Sequence, residues 1–174
     1  MNSNRNALLI IDMLNDFVLK GAVLEVPAAR NIIPNLKKSI DEAREKKIPI
    51  IYICDSHAED DKEFEIFPPH AVKGTKGAQV VEELSPKHRD YLVEKTTYSG
   101  FYNTELDDLL KKLDVNALIV TGIVTNICVM YTVYDAFLRG YRVIVPEDCV
   151  AGLNEEDHKF ALKQMRNILK AEII

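Results

Sequence analysis

Short apolar runs alternate with amphipathic stretches along the chain. Residues 7–11 (A-L-L-I-I) are near-continuously apolar, the pattern of a strand buried on both faces. In 28–47, Ile32, Ile33, Leu36, Ile40 and Ala43 recur at spacings of three and four, which draws one face of a helix. Residues 48–54 predict a second strand; Pro49 stands near its start, where a missing N–H is tolerated. Residues 91–95 predict a third strand. In 103–113, Leu106, Leu109, Leu110 and Leu113 share a helical face that Asn103 or Thr104 can cap. A fourth strand follows at 117–121, then a helix over 125–139 that Gly140 can end in the left-handed conformation. Residues 141–145 give a fifth strand. Asn154 caps a last helix whose first turn carries Glu155, Glu156 and Asp157, and 171–174 can add a sixth strand.

Strands alternating with helices predict an α/β fold of three layers, α/β/α, around a mostly parallel sheet of roughly six strands. No repeat or linker divides the chain, so 1–174 reads as one domain. The segment 55–90 resists the alternation. It holds Pro68, Pro69, Gly74, Gly77, Pro86, three histidines and many acids, and only 78–84 has a helical look. Long loops in compact domains are usually functional or disordered, and Phe64, Ile66, Phe67 and Val72 argue for order.

Composition narrows the class. Apolar residues are 47% and charged residues 28% of the 174, close to soluble globular averages. The formal net charge of −5 gives nucleic-acid binding little electrostatic support, and none is expected. Three widely spaced cysteines fit a reducing compartment better than a disulfide framework. The first apolar run is too short for a signal sequence or a membrane span, so a cytoplasmic protein with no membrane partner is expected.

In an open parallel sheet, ligands bind beyond the carboxyl ends of the strands. Asp12 follows the first strand, Asp55, Ser56 and His57 the second, Glu94 and Lys95 end the third, and Cys128 follows the fourth. An acid, a base, a D-x-H pair and a thiol thus reach one edge. Read singly, each has a plain alternative: Asp12 as a strand-ending polar residue, Lys95 as a solvated charge, Cys128 as a small buried apolar group. Read together, Asp12 can take a thiol proton. The start of a helix and a nearby Lys95 should lower the Cys128 pKa, and free N–H groups of that turn can hold an oxyanion. Cys54 and Cys149 read as packing residues, His88 and His158 as surface residues. Residues i and i+2 of an extended segment point the same way, so Asp55 and His57 can converge on one cation. His70 lies beyond the stiff Pro68–Pro69, and Glu63 stands between. That O/N set suits Zn²⁺, Mn²⁺ or Fe²⁺. No G-x-G-x-x-G, Walker P-loop or G-x-S-x-G is present.

Five blocks then make the chain resemble the nicotinamidase/pyrazinamidase group of the isochorismatase-like cysteine hydrolases, essentially end to end: A-L-L-I-I-D-M-L-N-D-F (7–17), C-D-S-H (54–57), F-P-P-H-A-V-K-G-T-K-G-A (67–78), E-K-T-T-Y-S-G-F (94–101) and T-G-I-V-T-N-I-C-V (121–129). The resemblance implies a catalytic triad of Asp12, Lys95 and Cys128. It implies metal ligands Asp55, His57 and His70, with Glu63 as a fourth and Glu65 as its competitor. It further implies a cis peptide at Ile123–Val124 that turns the Val124 N–H, with that of Cys128, toward an oxyanion. Phe17 and Phe67, and secondarily Tyr98 or Phe101, are the ring-holding aromatics it points to. The implied cofactor is one divalent ion, zinc first and manganese or iron as alternatives. The implied partner is a small aromatic carboxamide; the implied reaction converts nicotinamide to nicotinic acid in NAD salvage, and relatives are often homo-oligomers. Asn126 stands where many members carry Asp before the nucleophile, and Phe67 where several have Trp. An isochorismatase, an N-carbamoyl amidohydrolase and a non-catalytic redox or binding module are the rival readings.

Overall fold

The computed structural model describes residues 5–174. Its elements follow the alternation: β1 (Asn6–Ile11), a short α1 (Asn15–Val18), α2 (Ala29–Glu45), β2 (Ile50–Asp55), β3 (Tyr91–Lys95), α3 (Leu106–Lys112), β4 (Ala117–Ile123), α4 (Met130–Leu138), β5 (Arg142–Val145), β6 (Val150–Ala151), α5 (Glu155–Asn167) and β7 (Glu172–Ile173). The strands run parallel in the order β3-β2-β1-β4-β5-β7, and β6 pairs with the end of β4. The seventh strand is β6, two residues too short to leave a periodicity in the sequence.

β1 shows why the sheet is a middle layer. Leu8 and Ile10 pack with Ile32, Leu36 and Ile40 of α2 on one face. Ala7, Leu9 and Ile11 pack with Leu106, Val133 and Met165 of α3, α4 and α5 on the other. Period-two side chains that find apolar cover on both sides read as one unbroken apolar run. From β1 the chain winds outward to β2 and β3, then returns to lay β4 on its other side, so a crevice opens between the carboxyl ends of β1 and β4.

Glycine permits the close approach there. Gly122 has φ +103°, and a Cβ on it would lie 2.1 Å from the Ile11 carbonyl oxygen. At the end of α4, Gly140 takes φ +81°, as its position predicts. α3 starts at Leu106, the first residue of its apolar face and three residues after 103, and Thr104 Oγ1 accepts the Leu106 N–H at 3.3 Å. The helix expected over 125–139 divides into a π-helical turn, Thr125–Val129, and α4.

The long segment between β2 and β3 is ordered, and it corrects one expectation. Residues 78–84 are not a helix beyond the single 3₁₀ turn Glu82–Leu84. Their backbone is drawn out to pair with the chain after β1: Asn15 N–H donates to Gln79 O at 2.9 Å, Val81 N–H to Met13 O at 3.0 Å, and Leu14 bridges Val80. Among the described residues, no helix is long and apolar enough to cross a membrane.

Candidate active site

Three strand ends deliver the charged core of the site. Asp12 follows β1 with φ +53°, a left-handed conformation that Asp tolerates better than most residues. Its N–H is held by Ile53 O at 2.9 Å, and its Oδ1 accepts the Asp55 N–H at 2.9 Å. Lys95 ends β3 in register with Asp55, and its ammonium lies 2.8 Å from Asp12 Oδ2, against Asp55 Oδ1 and 3.6 Å from Cys128 Sγ. Lys95 and Asp12 are each 2% exposed. An ammonium so deep requires paired anions, and two carboxylates supply them.

Burial and the neighbouring charges shift each group of this cluster. Burial pushes the Asp12 carboxyl up to about 6, assisted by the Asp55 charge and opposed by Lys95. For Lys95, burial opposes the charge, but Asp12, Cys128 and Asp55 outweigh it and hold the ammonium protonated. Burial also pushes the Cys128 thiol well above its usual range, against the pull of Lys95. This corrects the expectation of a lowered thiol pKa: desolvation of the buried thiol outweighs the pull of the ammonium, and the Asp12 and Asp55 charges add to it. The resting pair is therefore a neutral thiol beside a carboxylate. Asp12 Oδ2, 2.8 Å from the Lys95 ammonium, has no aligned hydrogen-bond donor among the described residues, and the Asp12 charge acts on the Cys128 thiol. The Ile123–Val124 peptide is cis, as the resemblance implied.

The second part of the site comes from the β2–β3 segment. One ligand atom each from Asp55, His57 and His70 lies within 4.8 Å of the others, and all three residues are buried. His57 Nδ1 is held by Asp61 at 3.1 Å, which leaves Nε2 buried with no hydrogen-bond partner among the described residues. His70 Nδ1 is held by Pro68 O at 2.8 Å, freeing its Nε2 in turn. A carboxylate or carbonyl behind each imidazole is the arrangement that fixes a metal-ligating tautomer. Burial disfavours a proton on His57, yet Asp55 and Asp61 raise it to about 8, and the same two carboxylates favour a cation in that place. The donor set thus fits a divalent N/O-preferring ion such as zinc. Glu63 stands outside the tight group, half-buried on the cavity wall, and burial and the Asp55 charge raise its carboxyl pKa. Glu65 is exposed.

Both parts face one cavity of about 340 Å³, within the range of small-ligand sites. Asp12, Glu25, Asp55, Glu63, His70 and Cys128 give its polar lining, and Phe17, Phe67, Tyr98, Ile123, Val124 and Ile127 its apolar walls. Phe17 and Phe67 flank His70 at ring distances of 5.6 and 6.3 Å. Phe101 does not join them. It is 4% exposed, with the Arg139 guanidinium 4.7 Å over its ring and Tyr141 stacked at 6.0 Å, because Gly100 and Thr104 turn the chain back toward α3.

Sequence reasoning missed several supports. Asp61 orients His57, and its one signal is a position four residues after that histidine. Asp16 Oδ2 accepts the Ala71 N–H at 2.9 Å, pinning the backbone next to His70, and a Cβ at Gly77 would lie 2.1 Å from that carboxylate. Phe64 packs on both imidazoles at 5.5 and 5.6 Å. Val23, Leu24 and Leu153 form the cavity rim. His158, expected on the surface, is half-buried and bonded to Thr125 at 2.8 Å. Cys54 and Cys149 are buried and His88 is exposed, as expected.

Comparison with known proteins agrees with this architecture. Residues 6–173 match the isochorismatase domain. The nicotinamidase/pyrazinamidase PncA of Bacillus subtilis superposes with a TM-score of 0.93 at 31% identity, over 97% of this chain and 98% of that one. The pyrazinamidase of Pyrococcus horikoshii, solved in complex with zinc, gives 0.92 at 30% identity over 98% of both chains. The N-carbamoylsarcosine amidase of Thermoplasma acidophilum gives 0.89 at 35% identity over 97% of this chain and 95% of that one. With the family's domain matched along nearly its whole length, this chain belongs to the isochorismatase family and has the fold of the isochorismatase-like hydrolases.

Proposed function

We propose that the protein is a metal-dependent cysteine amidohydrolase that releases ammonia from a neutral aromatic carboxamide, nicotinamide or a pyrazinamide-like ring, to give the free acid. The observation that carries this reading is the buried meeting of Asp12 and Cys128 at the cavity wall with Lys95 behind them. Asp12 takes the proton of the neutral thiol, and the sulfur attacks the amide carbonyl. Lys95 and the N–H groups of Val124 and Cys128 stabilise the oxyanion. Asp12 then gives the proton to the departing nitrogen, ammonia leaves, and a thioester remains on Cys128. A water, its proton accepted by Asp12, cleaves the thioester. Asp55, His57 and His70, with Glu63 as a further donor, hold the divalent ion; when bound it supplies a Lewis acid that orients the ring nitrogen. Phe17 and Phe67 hold the ring. Nicotinic acid as product would serve NAD salvage.

The rival amide reading, a carbamoyl amino acid as in the Thermoplasma neighbour, meets an electrostatic objection. Among the described residues, no lysine or arginine lines the cavity, whereas four carboxylates do: Asp12, Glu25, Asp55 and Glu63. A substrate carrying its own carboxylate would have there, besides the bound ion, only the Lys95 ammonium, which is already paired with Asp12 and Asp55. An isochorismatase substrate meets the same objection. Ammonia release should be screened over nicotinamide, pyrazinamide and N-carbamoylsarcosine, with metal analysis of the same sample. Turnover of the two ring carboxamides, dependent on bound metal, is expected. Turnover of the carbamoyl acid alone, or equal turnover after chelation, contradicts the reading.

A further inference from the structure

The turn that carries Cys128 is tied through a hydroxyl to α5. Thr125 is the first residue of the π-helical turn, after Val124 at its N-cap. Here that turn has no side-chain cap, and the Thr125 hydroxyl, fully buried, meets Nδ1 of His158 at 2.8 Å. Within the turn, the Val124 carbonyl accepts both Ile127 N–H at 2.9 Å and Val129 N–H at 3.2 Å. The wide i+5 loop so formed carries Cys128 with one turn of irregular backbone, a feature that concentrates at functional sites.

The other end of the bond is built as carefully. β6 lies in register with the end of β4, Ile123 opposite Ala151, so the chain leaving β6 runs beside the chain entering the nucleophile turn. That chain gives the rim residue Leu153, then Asn154, whose Oδ1 accepts the Asp157 N–H at 2.9 Å and starts α5. Gly152 lets α5 close in: a Cβ there would lie 3.0 Å from the His158 Cβ. A cap, a glycine and a strand register therefore all converge on where His158 sits.

We infer that His158 is a positioning residue of this enzyme, which fixes the nucleophile turn through Thr125 and so sets where the Cys128 sulfur stands relative to Asp12 and Lys95. The bond is the side-chain tie from α5 to this turn. An error of about 1 Å in a reacting group costs on the order of a hundredfold in rate. A partial loosening should therefore be visible as a smaller loss.

The inference rests on the thiol being the reacting group, and its main readout is independent of the substrate. The rate of Cys128 alkylation by iodoacetamide is followed by peptide mass spectrometry in the full, metal-loaded chain. His158→Ala is expected to slow that rate about tenfold, with Thr125→Val equal to it and the double variant no slower than either. His158→Asn, which returns a polar atom at the position of Nδ1, should recover most of the rate. On whichever ring carboxamide is turned over, the loss in His158→Ala should fall on kcat and leave KM within about twofold. Circular dichroism identifies a variant that has failed to fold, and the Asn variant then decides. An unchanged alkylation rate in His158→Ala, additive losses in the double variant, or no recovery in a folded His158→Asn overturns the inference. Absence of carboxamide turnover in the unaltered protein would instead overturn the amidase reading, and the alkylation result would still stand.

Discussion

The two halves of the cavity are made in opposite ways. The Asp12–Lys95–Cys128 half hangs from the ends of β1, β3 and β4, and its polar atoms are answered by one another. The Asp55–His57–His70 half begins at β2 but is completed by the β2–β3 excursion, and each imidazole needs a support of its own. Asp55 belongs to both, bonded through its N–H to Asp12 and through its carboxylate to Lys95 while standing in the donor group. Position on a sheet edge is dictated by strand register, which is strongly specified where both faces are buried. Position in a loop is dictated by individual hydrogen bonds. The first half should therefore respond to mutation as part of the core, the second as a local device.

The largest separation comes from Lys95→Met. It removes the counter-charge from two buried carboxylates, and the loss should be about 3–5 kcal/mol in folding stability. Urea unfolding measures it; a loss under about 1 kcal/mol would mean that water reaches the site and the burial argument is wrong. Next is Asp61→Asn, which leaves the core untouched and weakens the support behind His57. Zinc affinity, read by competition with a chromogenic chelator, should fall about 10–100-fold while the unfolding midpoint scarcely moves. An equal drop in stability would erase the distinction between the halves. The smallest effect is assigned to Phe101→Leu. Because Phe101 packs under Arg139 and against Tyr141 and not on the cavity, KM for the ring carboxamide should stay within about twofold, with only stability reduced. A selective rise in KM would return Phe101 to the ring-binding wall.

The same contrast explains what was legible in the sequence. Strand ends could be read because β1, β2 and β4 advertise themselves as apolar runs, and the residue after each run must emerge at one edge. Asp12 and Asp55 fall there by that rule, while Lys95 ends the less apolar β3, in register with Asp55. Cys128 was placed by the same rule, yet its pKa was misjudged, since helix position is visible in sequence and the depth of burial is not. The segment 78–84 was misread because its local composition favours a turn of helix, while its backbone partners, Met13 and Asn15, lie more than sixty residues away. Asp16 and Asp61 look like any loop acids until the chain is folded around Ala71 and His57. β6 is too short for a period, and His158 is a half-buried partner only through the packing of α5 over Gly152.

The account stands on Cys128 attacking a carboxamide carbonyl. Metal-loaded protein turning over nicotinamide should be quenched in acid within the steady state and its mass measured intact, then by peptide. The expected result is a nicotinoyl thioester on the peptide containing Cys128, absent from Cys128→Ala, which should release no ammonia above background. Steady ammonia release with no acyl group on that peptide, or with Cys128→Ala still active, would contradict it.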